Sequence, residues 1–165
     1  MLRAHCTRRC YDRCVSNRFV IALARSSDAA GIARLSRETI EQGLPWRWTD
    51  ARVLACIRDR ATNAIVVRAG GTVVAFAIMK FGDEEGSLLL LGVDAAFRRR
   101  GIGSELLEWL ELTARTAGLS AIRLEARQDN RIATAFYRRH GFEEIGVVHG
   151  YYEGLEDAVR FRKRL

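Results

Sequence analysis

The chain is built from short apolar runs and from longer stretches in which apolar residues recur at helical spacing. Residues 19–24, FVIALA, predict a first short strand. Ser26, Ser27 and Asp28 then supply helix-capping side chains. Ile32, Leu35 and Ile40, with interspersed alanines, predict a helix to about Gln42, where Gly43 stops it. Residues 44–48, LPWRW, form a loop that holds the only proline, and Thr49 caps a second helix through Val53, Leu54 and Ile57. Residues 64–68 and 72–81 flank Gly70 and Gly71 as a hairpin, and residues 87–93 form a third long strand after a turn at 82–86. A helix over 101–117, a strand over 121–126, a helix over 131–140 and strands over 146–150 and 158–164 complete the chain. The order β-α-α-β-β-β-α-β-α-β-β predicts an α/β fold, a mixed sheet with helices on its faces.

Composition narrows the class. A length of 165 residues suits one domain, which at this size removes roughly 70% of its unfolded surface from water. Hydrophobic residues at 48% and charged residues at 28% are ordinary for a globular chain and exclude a disordered one. The longest apolar run, residues 73–79, is far short of the roughly 20 residues of a membrane helix, so no membrane association is expected. The net charge of +7 is uneven: residues 1–25 hold six arginines against Asp12, while the rest carries 21 bases and 19 acids. The near-neutral body argues against nucleic acid as the principal ligand. Residues 1–18 therefore read as a basic leader, outside a single domain over 19–165. The leader holds Cys6, Cys10 and Cys14 with His5 beside them, a spacing that matches no usual zinc finger. It reads as a mobile tail or the product of an upstream start codon, and no metal is assigned. Its Arg-rich, acid-poor character also resembles a mitochondrial presequence, but it lacks the apolar core of a secretory signal, and a cytoplasmic protein is expected.

Chemistry first shows where the strand 87–93 runs into Arg98, Arg99, Arg100, Gly101, Ile102, Gly103 and Ser104 at a helix start. Two glycines permit a tight turn and close approach of a ligand, and the first amides of the helix have no intrahelical partner. Amides, helix dipole and arginines together form a cradle for phosphate. The segment is neither a Walker loop nor a dinucleotide fingerprint.

These residues resemble the acetyl-CoA signature of the GNAT N-acetyltransferase superfamily, Arg/Gln-x-x-Gly-x-Gly/Ala, here Arg98-x-x-Gly101-x-Gly103. The resemblance implies a mostly antiparallel central sheet, splayed in the middle, with helices on both faces. It implies that these amides hold the pyrophosphate of coenzyme A, and that Leu91, Gly92 and Val93 border the pantetheine arm. Leu124-Glu125-Ala126-Arg127-x-x-Asn130, Ala135-Phe136-Tyr137 and Gly141-Phe142 resemble the branch that acetylates protein N-termini, the RimI type of ribosomal-protein-alanine acetyltransferases. Leu44-Pro45-Trp46, Tyr151-Tyr152 and Glu156-Asp157-Ala158 agree with that branch. Ala95 stands where the branch has proline, and His149-Gly150 where it has Arg-Asn.

The implied activity is acetyl transfer from acetyl-CoA to the N-terminal α-amine of a protein or peptide, a ribosomal protein among the candidates, in a ternary complex. Glu125, on the strand face opposite Ile122, Leu124 and Ala126, is the implied general base, and Tyr137 the implied general acid. Asn130, Ala133 or Thr134, and Tyr137 share one helical face, leaving Ile132 and Phe136 to a core-like face. Asn130 and Ala133 would lie along the pantetheine, and Trp46, Tyr151 and Tyr152 would frame the acceptor. Cys56 reads as core, and His140 as a helix-end cation without a catalytic part. Competing readings are a small-molecule amine as acceptor and a non-catalytic acyl-CoA-binding module. Oligomeric state and kinetic order have no signature in the sequence.

Overall fold

The longest apolar run of the sequence becomes the middle of the sheet. The structure is a computed structural model and describes residues 19–165; the leader assigned to 1–18, with Cys6, Cys10 and Cys14, lies outside the described residues. β3 (Thr72–Phe81) is buried at every position from Val73 to Met79, because helices cover both of its faces. Phe76 and Ile78, with Val66 and Leu90, pack on one side against α1 (Ala29–Thr39) and α2 (Asp50–Arg58). Ala75, Ala77 and Met79, with Ile65 and Leu88, pack on the other against α3 (Ile102–Thr116). α3 presents Ile102, Leu106, Leu110 and Ala114 as one buried stripe, and the Thr49 hydroxyl caps α2 by accepting from the Arg52 amide at 3.4 Å.

Among the described residues the sheet has seven strands, in the order β1 (Ile21–Leu23), β2 (Thr62–Ala69), β3, β4 (Glu85–Val93), β5 (Ala121–Arg127), β7 (Glu156–Arg164) and β6 (Glu143–Tyr152). Neighbours are antiparallel except β4 and β5, which run parallel. That pair is short: it begins at Glu85 with Ala121 and ends at Leu88 with Leu124. Beyond it β4 stays with β3 as far as Val93, and β5 stays with β7 as far as Arg127. The sheet is thus two halves joined over four residue pairs and parted above them.

A bulge accompanies the parting. Met79 pairs with Leu88 and Ile78 with Leu90, so Leu89 is the extra residue. The insertion breaks the two-residue alternation, sending Leu88 to the α3 core and Leu90 to the α1 core. One expectation is corrected. Ile132 on α4 (Arg131–Arg139) is 82% exposed, whereas Thr134 and Tyr137 are buried. At 100° per residue the buried face centres on Tyr137 and Thr134, with Phe136 on its margin and Ile132 beyond it. Strand β6 also starts three residues earlier than its apolar pattern suggested, because an edge strand needs no buried alternation. Among the described residues no helix is long and apolar enough to cross a membrane.

Candidate active site

The gap between β4 and β5 floors a cleft of about 370 Å³. Leu88 to Leu91 line it from β4, and Glu125, Ala126 and Arg127 from β5. Asn130 and Ala133 line it from the start of α4 (Arg131–Arg139), and Tyr137 from further along the same helix. Glu41, Arg47 and Trp48 close it on the α1–α2 side, and Tyr151, Tyr152 and Glu153 on the β6–β7 side. In an extended strand successive N–H and C=O groups point to opposite neighbours, so residues 89–93 turn alternate backbone groups into the gap, where β5 has left. An extended chain bearing amides fits such an edge, which is the chemistry of a pantetheine arm.

The loop that opens α3, the candidate phosphate cradle, lies beside it. Gly101 caps α3 in the left-handed conformation, φ +86°, with no side chain capping the helix. Arg99 is also left-handed, φ 61°. Left-handed residues alternating along a loop turn consecutive amides inward into an anion-binding concavity, here continuous with the free amides of the helix start. Leu91 and Phe136 join this cradle to the cleft: a Cβ on Gly103 would meet Phe136 at 3.5 Å and Leu91 at 3.8 Å. The arginines are not all directed at a ligand. Arg98 Nε donates to Val93 O at 3.1 Å, and Arg100 donates to Ala96 O at 3.0 Å while lying over the Phe97 ring. Both therefore brace the loop.

Glu125 and Tyr137 both reach the cleft, from strand and helix respectively. Arg160 Nε donates to Glu125 Oε1 at 3.1 Å, and Oε2 has no hydrogen-bond partner among the described residues. Tyr137 is buried and in edge contact with Phe136 and Phe142. Burial, and secondarily Tyr152, push its phenol above the ordinary tyrosine range. Burial likewise pushes Tyr152 up to about 12, with Tyr151 as a lesser cause, and Tyr151 rises through burial and then Glu125. All three phenols are thus held in the proton-carrying form. Asn130 acts locally, on its own helix. Its side-chain oxygen accepts from the Ala133 amide at 3.0 Å and caps α4.

Trp46 is not among the lining residues. It is 41% exposed, donates from its indole to Trp48 O at 3.0 Å and carries the Arg37 guanidinium over its ring. Trp48, two residues on, lines the cleft, with Arg52 stacked at 4.2 Å. Gly92 and Val93 are not in the lining either. The Gly92 backbone is pressed between Phe76 and Thr39, where a Cβ would come to 2.6 and 2.9 Å.

Sequence reasoning missed the groups that shape the walls. Glu41 is buried, and its carboxylate accepts from the Arg47 and Trp48 amides at 2.7 and 3.2 Å, fixing the loop. Arg47 ion-pairs with Glu153 of the β6–β7 turn, joining the two walls. Arg127 was given no role from the sequence, although a signal was there: it lies two positions after Glu125 and shares its strand face.

With this geometry in place, the comparisons are specific. The chain matches the model of the Acetyltransferase (GNAT) family over residues 22–142 and belongs to that family of N-acetyltransferases. The N-alpha-acetyltransferase RimI of Mycobacterium tuberculosis is 40% identical over 135 residues, which are 79% of this chain and 82% of that protein. The crystal structure of the ribosomal-protein-S18-alanine N-acetyltransferase from Escherichia coli has a TM-score of 0.76 at 26% identity, covering 88% of this chain and 93% of that one. The PaiA N-acetyltransferase of Thermoplasma acidophilum, solved with coenzyme A, shares the fold at a TM-score of 0.77 and 18% identity, over 89% of this chain and 99% of that one.

Proposed function

We propose that the protein transfers the acetyl group of acetyl-CoA to the α-amine of a protein or peptide N-terminus, a ribosomal protein being the first acceptor to try. The observation that carries this reading is that a carboxylate, Glu125, and a proton-bearing phenol, Tyr137, reach one gap in the sheet whose free β4 edge suits a pantetheine arm.

The cosubstrate supplies the thioester, its pyrophosphate held by residues 98–104 and its arm laid along β4. Glu125 accepts a proton from the acceptor ammonium, directly or through water. The neutral amine nitrogen attacks the thioester carbonyl carbon, the C–N bond forms and the C–S bond breaks. Tyr137 gives its proton to the departing thiolate; the nitrogen sheds the second proton it carries after attack, which restores Tyr137 through solvent, and Glu125 releases its own to solvent, so that one proton leaves per turnover. An α-amine, near pKa ~8, is deprotonated more readily than a lysine near ~10.4, which favours an N-terminus. Trp48, Tyr151 and Tyr152 are the aromatic groups placed to frame the acceptor.

The test is acetyl transfer to a short peptide with a free N-terminus, beside the same peptide N-terminally blocked and carrying an internal lysine, and a panel of small amines. Only the free peptide should be acetylated efficiently. Equal transfer to the blocked peptide makes the acceptor a side chain, and preference for a small amine removes the peptide from the mechanism.

A further inference from the structure

One contact joins the helix that carries Tyr137 to the helix whose start forms the phosphate cradle. His140, just past the end of α4, places Nε2 2.9 Å from the Oγ of Ser104 in the first turn of α3. Its other ring nitrogen, Nδ1, is 2.8 Å from the backbone oxygen of Phe136. A carbonyl oxygen can only accept, so Nδ1 carries a proton in either charge state of the ring. In the neutral ring Nε2 is then bare, and it accepts the hydroxyl proton of Ser104. Ser104 turns lone pairs to anything in the cradle. In the protonated ring Nε2 donates to Ser104 Oγ, and the serine hydrogen is free to point at a phosphate oxygen.

We infer that His140 is a proton-linked binding residue of the acetyl-CoA site: taking up a proton turns Ser104 from acceptor to donor toward the ligand and sets a positive charge beside the pyrophosphate. This rests on the reading of residues 98–104 as the pyrophosphate site. The position of the ring explains why protonation and anion binding reinforce one another. An anion in the cradle and a protonated ring behind Ser104 are opposite charges at short range, so each favours the other. The coupling is then reciprocal. Phe136 stiffens the arrangement, lying 4.3 Å from the imidazole between ring centres and against Gly103. The charged groups on the surrounding elements are Glu105, Glu108 and Glu111 on α3, with Glu111 held by Lys163 of β7 at 2.6 Å. Arg138, held by Glu144, and Arg139 stand on its own helix, and Arg98, Arg99 and Arg100 stand in the cradle.

The probe is 3′-dephospho-CoA, whose pyrophosphate stays fully ionised between pH 6 and 8, so that no titration of the ligand's own phosphate enters. Calorimetry on the full chain, in buffers of differing ionisation enthalpy, reads affinity and proton uptake together. The wild type should bind about tenfold more tightly at pH 6 than at pH 8, the scale of one added charge-assisted hydrogen bond, and should take up a proton on binding. His140→Gln keeps a partner for Ser104 but cannot charge; its affinity should be flat with pH and near the wild-type value at pH 8. Ser104→Ala should lose most of the pH dependence. Wild-type binding that varies less than twofold over this range, or a slope unchanged in His140→Gln, overturns the role of His140 while leaving the pyrophosphate site standing. No binding by any of the three proteins overturns that site and this inference with it.

Discussion

Arg127 of β5 donates from one Nη to Oε1 of Glu156, at the start of β7, at 2.6 Å, while its Nε stands 2.6 Å from Oε2 as an ion-pair contact without hydrogen-bond alignment. The remaining guanidinium nitrogen donates to Gln42 O at 2.7 Å, in the loop after α1. One side chain thus ties the strand of Glu125 to both walls of the acceptor cleft. Lysine keeps the charge but cannot hold Glu156 and the Gln42 carbonyl at once from one planar group. Arg127→Lys and Glu156→Gln should each raise KM for the acceptor peptide roughly ten- to a hundredfold, the range of a lost charge-assisted pair. Affinity for coenzyme A should stay within a few-fold. Steady-state kinetics with calorimetry reads both, and an equal loss on the two substrates would mean a general loosening instead.

Gly92 is the tightest point of the α1 face. The Thr39 hydroxyl it approaches is committed to Leu35 O at 2.6 Å, and Phe76 is fully buried, so neither yields freely. Gly92→Ala should destabilise the protein by about 1–3 kcal/mol through overpacking. Adding Phe76→Leu should recover part of that. Thermal unfolding of the two variants checks the pair. A single variant as stable as the wild type would mean that β4 can shift away from Phe76.

The sequence showed the order of elements because each carries its own period, and it showed the cradle because glycine, arginine and a helix start have local causes. Strand alternation by itself reads Glu125 as a solvated carboxylate and helical spacing reads Tyr137 as a half-buried aromatic; the family resemblance is what singles both out as candidates. What stayed hidden depends on partners distant in the chain. Arg127 with Glu156 spans 29 residues, and Arg47 with Glu153 spans more than 100. The exchange of Trp46 for Trp48 at the cleft follows from Glu41 gripping two loop amides, which no periodicity reveals. Leu89 as the bulge was equally invisible in an unbroken run of four leucines.

Tyr137 allows a test of chemistry and of linkage in one variant. Tyr137→Phe keeps the ring in its aromatic contacts and should leave coenzyme A affinity intact. Turnover should fall about 10²–10⁴-fold, as for a positioned acid. The folded protein holds this phenol protonated above its ordinary range. An unfolded tyrosine ionises near pH ~10, so the stability present below that pH is lost as pH rises from about 10 toward the folded value. Chemical denaturation between pH 9 and 11 should show the decline, and less of it in Tyr137→Phe. Tyr152, pushed up to about 12, adds a decline of the same sign that remains in the variant.

Glu125 is held at one oxygen by Arg160 and open at the other, so its charge and its orientation can be separated by substitution. Glu125→Gln keeps the shape and removes the base. Acceptor amines are mostly protonated below pH ~8, and there the wild type depends on a group that collects the proton. The variant should therefore lose about 10²–10³-fold in kcat/KM near pH 6.5, with the loss shrinking as pH passes the amine value and free amine becomes plentiful. Arg160→Gln leaves the carboxylate in place without its anchor, and should give a smaller loss with a similar pH profile. The measurement is the pH dependence of kcat/KM for the free-amine peptide at saturating acetyl-CoA. A loss in Glu125→Gln that is constant from pH 6.5 to 9.5 would assign this carboxylate to holding the acceptor, and the proton would then leave by another route.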